Sequence, residues 1–192
     1  MRLVSYRNPL ISIIIPTFNC GDYLPTAIES VIQQNYAHIE IVIIDGGSTD
    51  STLDVIKKNE NVIKEWSSGP DFGIYDAMNK GIQKAKGDWI YFLGADDILV
   101  NCLHKVARNL YSARTIYYGD VYLPGKNKVY SGKFNWHTLV SKNINHQSIF
   151  YPRQVFEHYR FDLQYPILSD YDLNLRIWGE GKFKFKYINE LI

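Results

Sequence analysis

Asp96 and Asp97 stand side by side just beyond a short apolar run, Trp89-Ile90-Tyr91-Phe92-Leu93, from which Gly94 and Ala95 separate them. Adjacent carboxylates are hard oxygen donors. Mg²⁺ and Mn²⁺ are commonly held by one or two such groups together with substrate phosphates. Gly-Ala-Asp-Asp is also good turn chemistry, so the pair alone leaves both uses open. A second acidic group, Ser169-Asp170-Tyr171-Asp172, opens the last helical pattern of the chain. Ser169 and Asp172 have the spacing of a capping box with Asp in place of Glu, which gives Asp172 a structural duty. Asp170 is then the first helical residue, free to point into a cleft, although an acid in a first turn is also favoured by the helix dipole.

The elements that must position these groups follow from hydrophobic periodicity. Ile11 to Ile15 is a β-branched apolar run ended by Pro16, and Ile39 to Ile44 is a second; both read as buried strands. Between them Leu24, Ala27, Ile28, Val31 and Ile32 recur at helical spacing, with Asp22 placed to cap. Ser48 or Asp50 caps the next helix, which turns Leu53 and Ile56 inward. Val62 to Trp66 reads as a third strand, and Ser67 to Gly73 as a loop. A helix carrying Tyr75, Met78, Ile82 and Ala85 on one face follows and stops at Gly87; the strand at Trp89 and a helix with Leu103, Val106, Ala107 and Leu110 complete the series. Strand and helix alternating through short loops predict an α/β fold with a mainly parallel, Rossmann-like sheet flanked by helices. After Ile116 the pattern changes. Tyr117 to Tyr122, Lys128 to Tyr130 and Ser148 to Tyr151 read as strands joined by long loops, which predicts a mixed sheet edge in the C-terminal half.

Ligands of such sheets bind at the carboxyl ends of the strands. Three successive strand ends carry short polar loops here, Thr17 to Gly21, Asp45 to Asp50 and Gly94 to Asp97. Side by side they form a cleft with one carboxylate at its centre and a pair at its end. The cleft is not a dinucleotide site of the usual kind, because no Gly-x-Gly-x-x-Gly follows the first strand, and no phosphate-cradling Gly-x₄-Gly-Lys-Ser/Thr or Gly-x-Ser-x-Gly elbow occurs.

Composition sets outer bounds. The 192 residues suit a single domain, with 46% hydrophobic and 21% charged residues. A net charge of +1 gives no nucleic-acid footprint. Cys20 and Cys102 form neither a disulfide framework nor a metal-ligand spacing, which fits a reducing compartment. Met1 to Leu10 lacks a signal-length apolar run, and no stretch approaches membrane-spanning length, so the chain reads as cytoplasmic. Fifteen tyrosines are enough to furnish sugar platforms, and buried tyrosines with satisfied hydroxyls explain them equally. Phe183 to Ile192 reads as a strand leading onward, which raises the expectation of a further C-terminal segment.

Five blocks in order resemble the inverting family-two glycosyltransferases of the type that builds bacterial surface polysaccharides: Ile-Ile-Pro-Thr-Phe-Asn at 14–19, Ile-Ile-Asp-Gly-Gly-Ser-Thr-Asp at 43–50, Gly-Pro-Asp-Phe-Gly-Ile-Tyr-Asp-Ala-Met-Asn-Lys-Gly-Ile at 69–82, the Gly-Ala-Asp-Asp loop, and the pair Asn-His-Gln-Ser-Ile-Phe-Tyr at 145–151 and Ser-Asp-Tyr-Asp-Leu at 169–173. The resemblance implies the A-type nucleotide-diphospho-sugar transferase fold (GT-A), a half of about 1–115 that binds the nucleotide-diphosphate sugar donor, and an acceptor-side half of about 116–192. It implies that Pro16, Phe18 and Asn19 face the base and ribose, and that Asp45 accepts a hydrogen bond from the base, which suits the N3–H of uracil in a UDP-sugar. By the same resemblance Asp71 lies near the nucleotide, Lys80 reaches a phosphate, and Asp97 ligates Mn²⁺ or Mg²⁺. Asp96 sits on the ribose or by the metal, His146 touches metal or diphosphate, and Asp170 is the catalytic base. Turn, cap, core or surface duties remain the plain alternatives for Phe18, Asp45, Asp71, Lys80 and His146. The element reads Ala95-Asp96-Asp97, so the first aspartate of the family's three-residue form is absent. The implied acceptor is a saccharide or lipid-linked saccharide, with peripheral association at the inner membrane face. A non-catalytic sugar-nucleotide-binding subunit keeps the same cleft. A sugar-nucleotide nucleotidyltransferase needs a Gly-rich, Arg-containing loop after the first strand, and Pro16 to Gly21 is not one.

Overall fold

A computed structural model describes residues 8–130 and 132–192; of the N-terminal stretch read above, residues 1–7 lie outside it. Four parallel strands form the frame: β1 (Ile11–Thr17), β2 (Ile39–Asp45), β3 (Ile63–Ser68) and β4 (Trp89–Phe92), in the spatial order β3-β2-β1-β4. Every residue of β1 is buried, as expected for a central strand covered on both faces. Pro16 does not end it; the parallel ladder continues through Pro16 opposite Ile44 and Thr17 opposite Asp45.

Crossover helices α1 (Leu24–Ile32), α2 (Thr52–Lys58) and α3 (Ile74–Lys84) connect these strands, and α4 (Leu103–Ala107) follows β4. They bury two apolar clusters, one on each sheet face. Ile13, Ile15, Leu24, Ile28 and Leu103 belong to the first, Ile14, Val42, Met78 and Ile82 to the second. Alternate residues of β1 thus feed opposite cores, as strand geometry requires. Helix α3 lies close on the sheet because residue 81 has no side chain; a Cβ there would fall 2.4 Å from Ile14 Cγ2.

The C-terminal half supplies the mixed edge. Strand β7 (Ile149–Pro152) runs antiparallel to both β4 and β5 (Thr115–Leu123), β6 (Lys128–Tyr130) is antiparallel to β5, and β8 (Lys184–Leu191) is parallel to β5. Helices α5 (Trp136–Ser141), α6 (Val155–His158) and α7 (Ser169–Glu180) pack around it. No helix among the described residues is long and apolar enough to cross a membrane.

Three expected caps are replaced. Asp22 does not cap α1, whose N-cap position is Tyr23, without a side-chain bond; Pro25 in the first turn presets its geometry instead. Helix α2 begins after Ser51, and Asp50 serves it from one residue further out, accepting the Thr52 N–H at 3.0 Å and the Thr52 hydroxyl at 2.5 Å. Ser48 is drawn into the β2 loop. The capping box at α7 is not formed. Ser169 is itself the first helical residue, its buried hydroxyl has no hydrogen-bond partner among the described residues, and Asp172 pairs with Arg176 at 2.8 Å on the next turn. Asp170 is therefore the second helical residue.

Candidate active site

The carboxyl ends of β1, β2 and β4 and the loop from β3 to α3 surround a cavity of about 590 Å³. Its walls include Pro16, Phe18, Asn19 and Tyr23 on one side, Gly46, Pro70, Asp71 and Ile74 on the other, and Asp96 at one end. Phe18 and Tyr23 are each 61% exposed. An exposed aromatic face at a cleft mouth is a stacking surface for a flat ring.

The loops are built by short-range hydrogen bonds between strand ends. Asn19, in the left-handed region at φ 50°, donates its N–H to Ser48 Oγ at 2.8 Å and accepts the Thr49 N–H on its side chain at 2.9 Å. Asp50 accepts the Gly21 N–H at 3.0 Å. The β1 and β2 loops are thereby one unit.

Asp45 is the organiser of that unit. It is 1% exposed; its carboxylate accepts the Gly47 and Ser48 N–H groups at 3.0 Å each, the Ser68 hydroxyl at 2.6 Å, and the Ser48 hydroxyl. Three of these donors converge on Oδ2, and the Ser48 hydroxyl alone reaches Oδ1. Asp45 is thus held by its own loop and is not among the residues that line the cavity. Asp71 does: its carboxylate accepts the Gly73 N–H at 2.9 Å and lies against residue 46, where a Cβ would come within 2.8 Å of Asp71 Oδ2. Lys80 is turned away, paired with Asp76 at 2.9 Å and donating to the Pro70 carbonyl at 3.2 Å.

Beyond Asp96, Asp97 is half-buried and accepts a hydrogen bond from the Gln147 side chain. Burial, then the neighbouring Asp96 charge, pushes the Asp97 carboxyl above the ordinary carboxylate range; His146 and Gln147 pull the other way without cancelling this. A site that disfavours its own negative charge is one a cation relieves. Among the described residues no three His, Cys, Asp or Glu side chains converge as a closed metal cage. Two carboxylates fit instead the open type of site, which Mg²⁺ and Mn²⁺ complete with water and phosphate.

Asp170 is held in a denser network. Tyr75 donates to its Oδ1 at 2.9 Å, Asn143 to its Oδ2 at 2.7 Å, and His146 Nδ1 lies 3.3 Å from Oδ2. Asn143 is in turn held by Asn174 at 2.9 Å, and Asn174 by the buried Tyr151 hydroxyl at 3.0 Å. Burial pushes the Asp170 carboxyl up, but the bond and charge of His146 with the Tyr75 hydroxyl outweigh it and hold the group below the usual range. Tyr75 is pushed up to about 12 by burial and by that same charge, so it remains a donor.

Of the residues expected in the site, Pro16, Phe18, Asn19, Asp71 and Asp96 line the cavity; Asp97, His146 and Asp170 are brought together through the turn that carries His146 and Gln147; Asp45 and Lys80 serve the loops. Tyr75, Asn143, Gln147 and Asn174 were not singled out from sequence. Asn174 carried a readable signal, since it falls four residues after Asp170 and so on the same helical face, beside the core positions Leu173 and Ile177.

Known proteins show the same chain plan. The profile of the family described as "Glycosyl transferase family 2" matches residues 12–168, most of the chain. A PGL/p-HBAD biosynthesis glycosyltransferase of Mycobacterium bovis is 37% identical over 195 residues, covering 96% of this chain and 75% of that protein. A chondroitin synthase of Pasteurella multocida is 29% identical over 193 residues, covering 93% of this chain but 20% of its own length. Among solved structures, the mannosyltransferase PcManGT from Pyrobaculum calidifontis, in complex with GDP-Man and Mn²⁺, superposes with a TM-score of 0.76 at 16% identity, over 97% of this chain and 56% of that one. S. aureus TarS 1-349 in complex with UDP-GlcNAc gives a TM-score of 0.70 at 18% identity, over 94% and 58%. The chain spans rather more than half the length of these two solved chains, and at such identities they bear on the fold, which is the expected GT-A arrangement. With the family profile matched across both halves of the sheet and a relative at 37% identity along nearly its whole length, the chain belongs to glycosyl transferase family 2.

Proposed function

We propose that the chain transfers a sugar from a nucleoside-diphosphate donor, a UDP-sugar, to a hydroxyl acceptor with inversion, assisted by Mn²⁺ or Mg²⁺, in the assembly of a surface glycan. The observation that carries this is two unlike carboxylates linked through the adjacent residues His146 and Gln147, with Asp96, next to one of them, lining the cavity. Asp97 is destabilised as an anion, and Asp170 is stabilised as one. The first invites a cation and the second stays ready to take a proton. Neighbours of the same fold support the donor class, since TarS is described with UDP-GlcNAc and PcManGT with GDP-Man and Mn²⁺.

In this reading residues 1–115 form the donor half and 116–192 the acceptor half. Phe18 and Tyr23 flank the base, while Asn19 and Asp71 present polar atoms to base or ribose. Asp97, with Asp96, holds the cation, which when bound supplies Lewis-acid stabilisation of charge gathering on the leaving diphosphate. Asp170 accepts the acceptor hydroxyl's proton as that oxygen attacks the anomeric carbon. One base on one face suffices for a single displacement and inversion, in contrast to retaining glycoside hydrolases, which use a close pair of carboxylates. Tyr75 and Asn143 keep Asp170 oriented. Ile167 and Leu168, 77% and 56% exposed immediately before α7, give the acceptor side an apolar lip, which suits a lipid-linked acceptor met peripherally at the inner membrane face.

The test is nucleotide release from labelled UDP-, dTDP- and GDP-sugars against a panel of saccharide and lipid-linked hydroxyl acceptors, in Mn²⁺ and in EDTA, with the product's anomeric configuration read by NMR. Release from UDP-sugars, dependent on the metal and giving the inverted anomer, is the expected result. A retained anomer, or turnover undiminished in Asp170→Asn, overturns the mechanism. Binding of UDP-sugar with no turnover of any acceptor favours a binding subunit instead.

A further inference from the structure

The short 3₁₀ turn His146–Ser148 reaches both unlike carboxylates with consecutive side chains. Gln147 donates to Asp97 Oδ2, and His146 Nδ1 lies 3.3 Å from Asp170 Oδ2. The turn is also fixed to its surroundings more firmly than a connecting loop requires. The Asn145 side chain accepts the Gln147 N–H at 2.9 Å, and the Asn145 carbonyl accepts the Ser148 N–H at 2.9 Å and the Ser148 hydroxyl at 2.7 Å. Tyr91, buried in β4 and stacked on Phe150 with ring centroids 4.8 Å apart, donates its hydroxyl to the Gln147 carbonyl at 2.8 Å. The turn is therefore anchored to β4, the strand that leads to Asp96 and Asp97, and stands directly before β7, the antiparallel partner of β4.

Resting on the reading above, we infer that Gln147 and His146 are positioning residues with separate duties. Gln147 orients the cation-side carboxylate Asp97 by occupying one of its oxygens, and His146 orients the base Asp170; the rigid turn between them sets the spacing of the two. The amide of Gln147 suits its task because it donates to a carboxylate without adding charge beside a cation. Outer-shell donors of this kind typically tune metal affinity or activity by about 10–100-fold. His146 is assigned to the base, which its Nδ1 faces; Nε2 is not engaged there, so the Mn²⁺ affinity of His146→Phe is what separates the two duties.

Adjacent residues with different duties give a double dissociation. Mn²⁺ affinity is measured by titration followed by electron paramagnetic resonance, with UDP present, on the full chain and on variants whose folding is confirmed by thermal unfolding. Gln147→Met keeps the side chain's length without the amide, and should weaken Mn²⁺ binding at least about tenfold. Its kcat should recover at saturating Mn²⁺. His146→Phe should leave Mn²⁺ affinity and the donor KM unchanged while kcat falls about tenfold or more. His146→Asn, which restores a donor near the position of Nδ1, should regain most of that loss. Mn²⁺ binding that survives Gln147→Met intact overturns the inference, as does Mn²⁺ binding lost in His146→Phe, which would put His146 on the cation. Equal losses of both properties in both variants would reduce the turn to plain architecture and overturn it too. A wild-type chain that binds no Mn²⁺ with UDP would overturn the cation reading itself, and Gln147's role with it.

Discussion

Asp97 and Asp170, the two carboxylates of the proposed site, have their charges treated in opposite ways by the fold, and this makes them separable at the bench. Asp170 has a folded pKa below its unfolded value, so its ionised form stabilises the fold above the ordinary carboxylate range and that stability is lost as pH falls through the folded pKa. Asp97 has a raised folded pKa, so ionisation costs the fold above that pKa, and the cost vanishes below the unfolded value. Asp170→Asn should therefore lower Tm at neutral pH, with the gap to wild type closing as the solution is acidified below about pH 4. Its rate should fall by about 10²–10⁴, the usual worth of a general base, while UDP binding persists. Because the base is held ionised, the wild-type kcat should show no protonation limb from Asp170 between about pH 5 and pH 7; a limb there that disappears in Asp170→Asn would contradict the assignment. Asp97→Asn should do the reverse to stability, raising the Tm of the metal-free protein by about 1–4 °C, the effect of up to about 1 kcal/mol in a domain of this size. It should also abolish Mn²⁺ binding. A substitution that stabilises the fold and removes the ligand is what a site carrying unfavourable charge predicts.

The strand-end loops are the elements that turn a common α/β sheet into this cleft, and their closeness is set at residue 46. The Gly46 N–H is held by the Thr17 carbonyl at 2.8 Å, and on its other side Asp71 leaves no room for a Cβ. Gly46→Ala should push Asp71 and its loop aside, weakening UDP binding about tenfold, as a loss of about 1.4 kcal/mol would. Tm should change little, because the displaced carboxylate is the mobile end of a side chain at the cavity wall. Calorimetric titration with UDP checks this; unchanged affinity would mean that the β3–α3 loop does not contact the nucleotide. The elements themselves were legible in the sequence because period and burial agree. The β-branched runs at 11–15 and 39–44 have few alternatives to buried strands, and the face of Leu24, Ala27, Ile28 and Val31 packs where its spacing requires. Caps were less legible, since Asp22, Asp50 and Ser169 each offer an oxygen and only the surrounding turn decides which is used. The site was legible as a set of loops but not as a set of bonds. Tyr75 reads as an apolar-face residue and Asn143 as loop, and their meeting at Asp170 spans 95 and 27 residues of sequence. Asp45 shows the same limit from the other side: its place at a strand end was readable, but not that the Ser48 and Ser68 hydroxyls would donate to it.

Taken whole, the molecule gathers its polar strand-end loops at one sheet edge, while two apolar clusters hold the sheet from either face. Ligand binding and global stability are then coupled, because the cleft exists only while β1, β2, β3 and β4 are assembled. A ligand bound only by the folded chain at about 100 times its Kd adds roughly 2.7 kcal/mol to unfolding. In a chain of this length that is a rise in Tm of roughly 5–10 °C. UDP with Mn²⁺ should produce it, and EDTA should remove most of it if the cation bridges protein and diphosphate. Asp97→Ala should behave in Mn²⁺ as wild type does in EDTA, whereas Asp170→Asn should keep the full rise, because the proposed base acts on the acceptor and not on the nucleotide. GDP in place of UDP tests the base preference in the same experiment: an equal rise would show that the cleft stacks a ring without reading its edge. A rise that Asp97→Ala leaves intact would move the diphosphate away from the carboxylate pair, and the proposed direction of the cleft, base at Phe18 and phosphates toward Asp97, would be wrong.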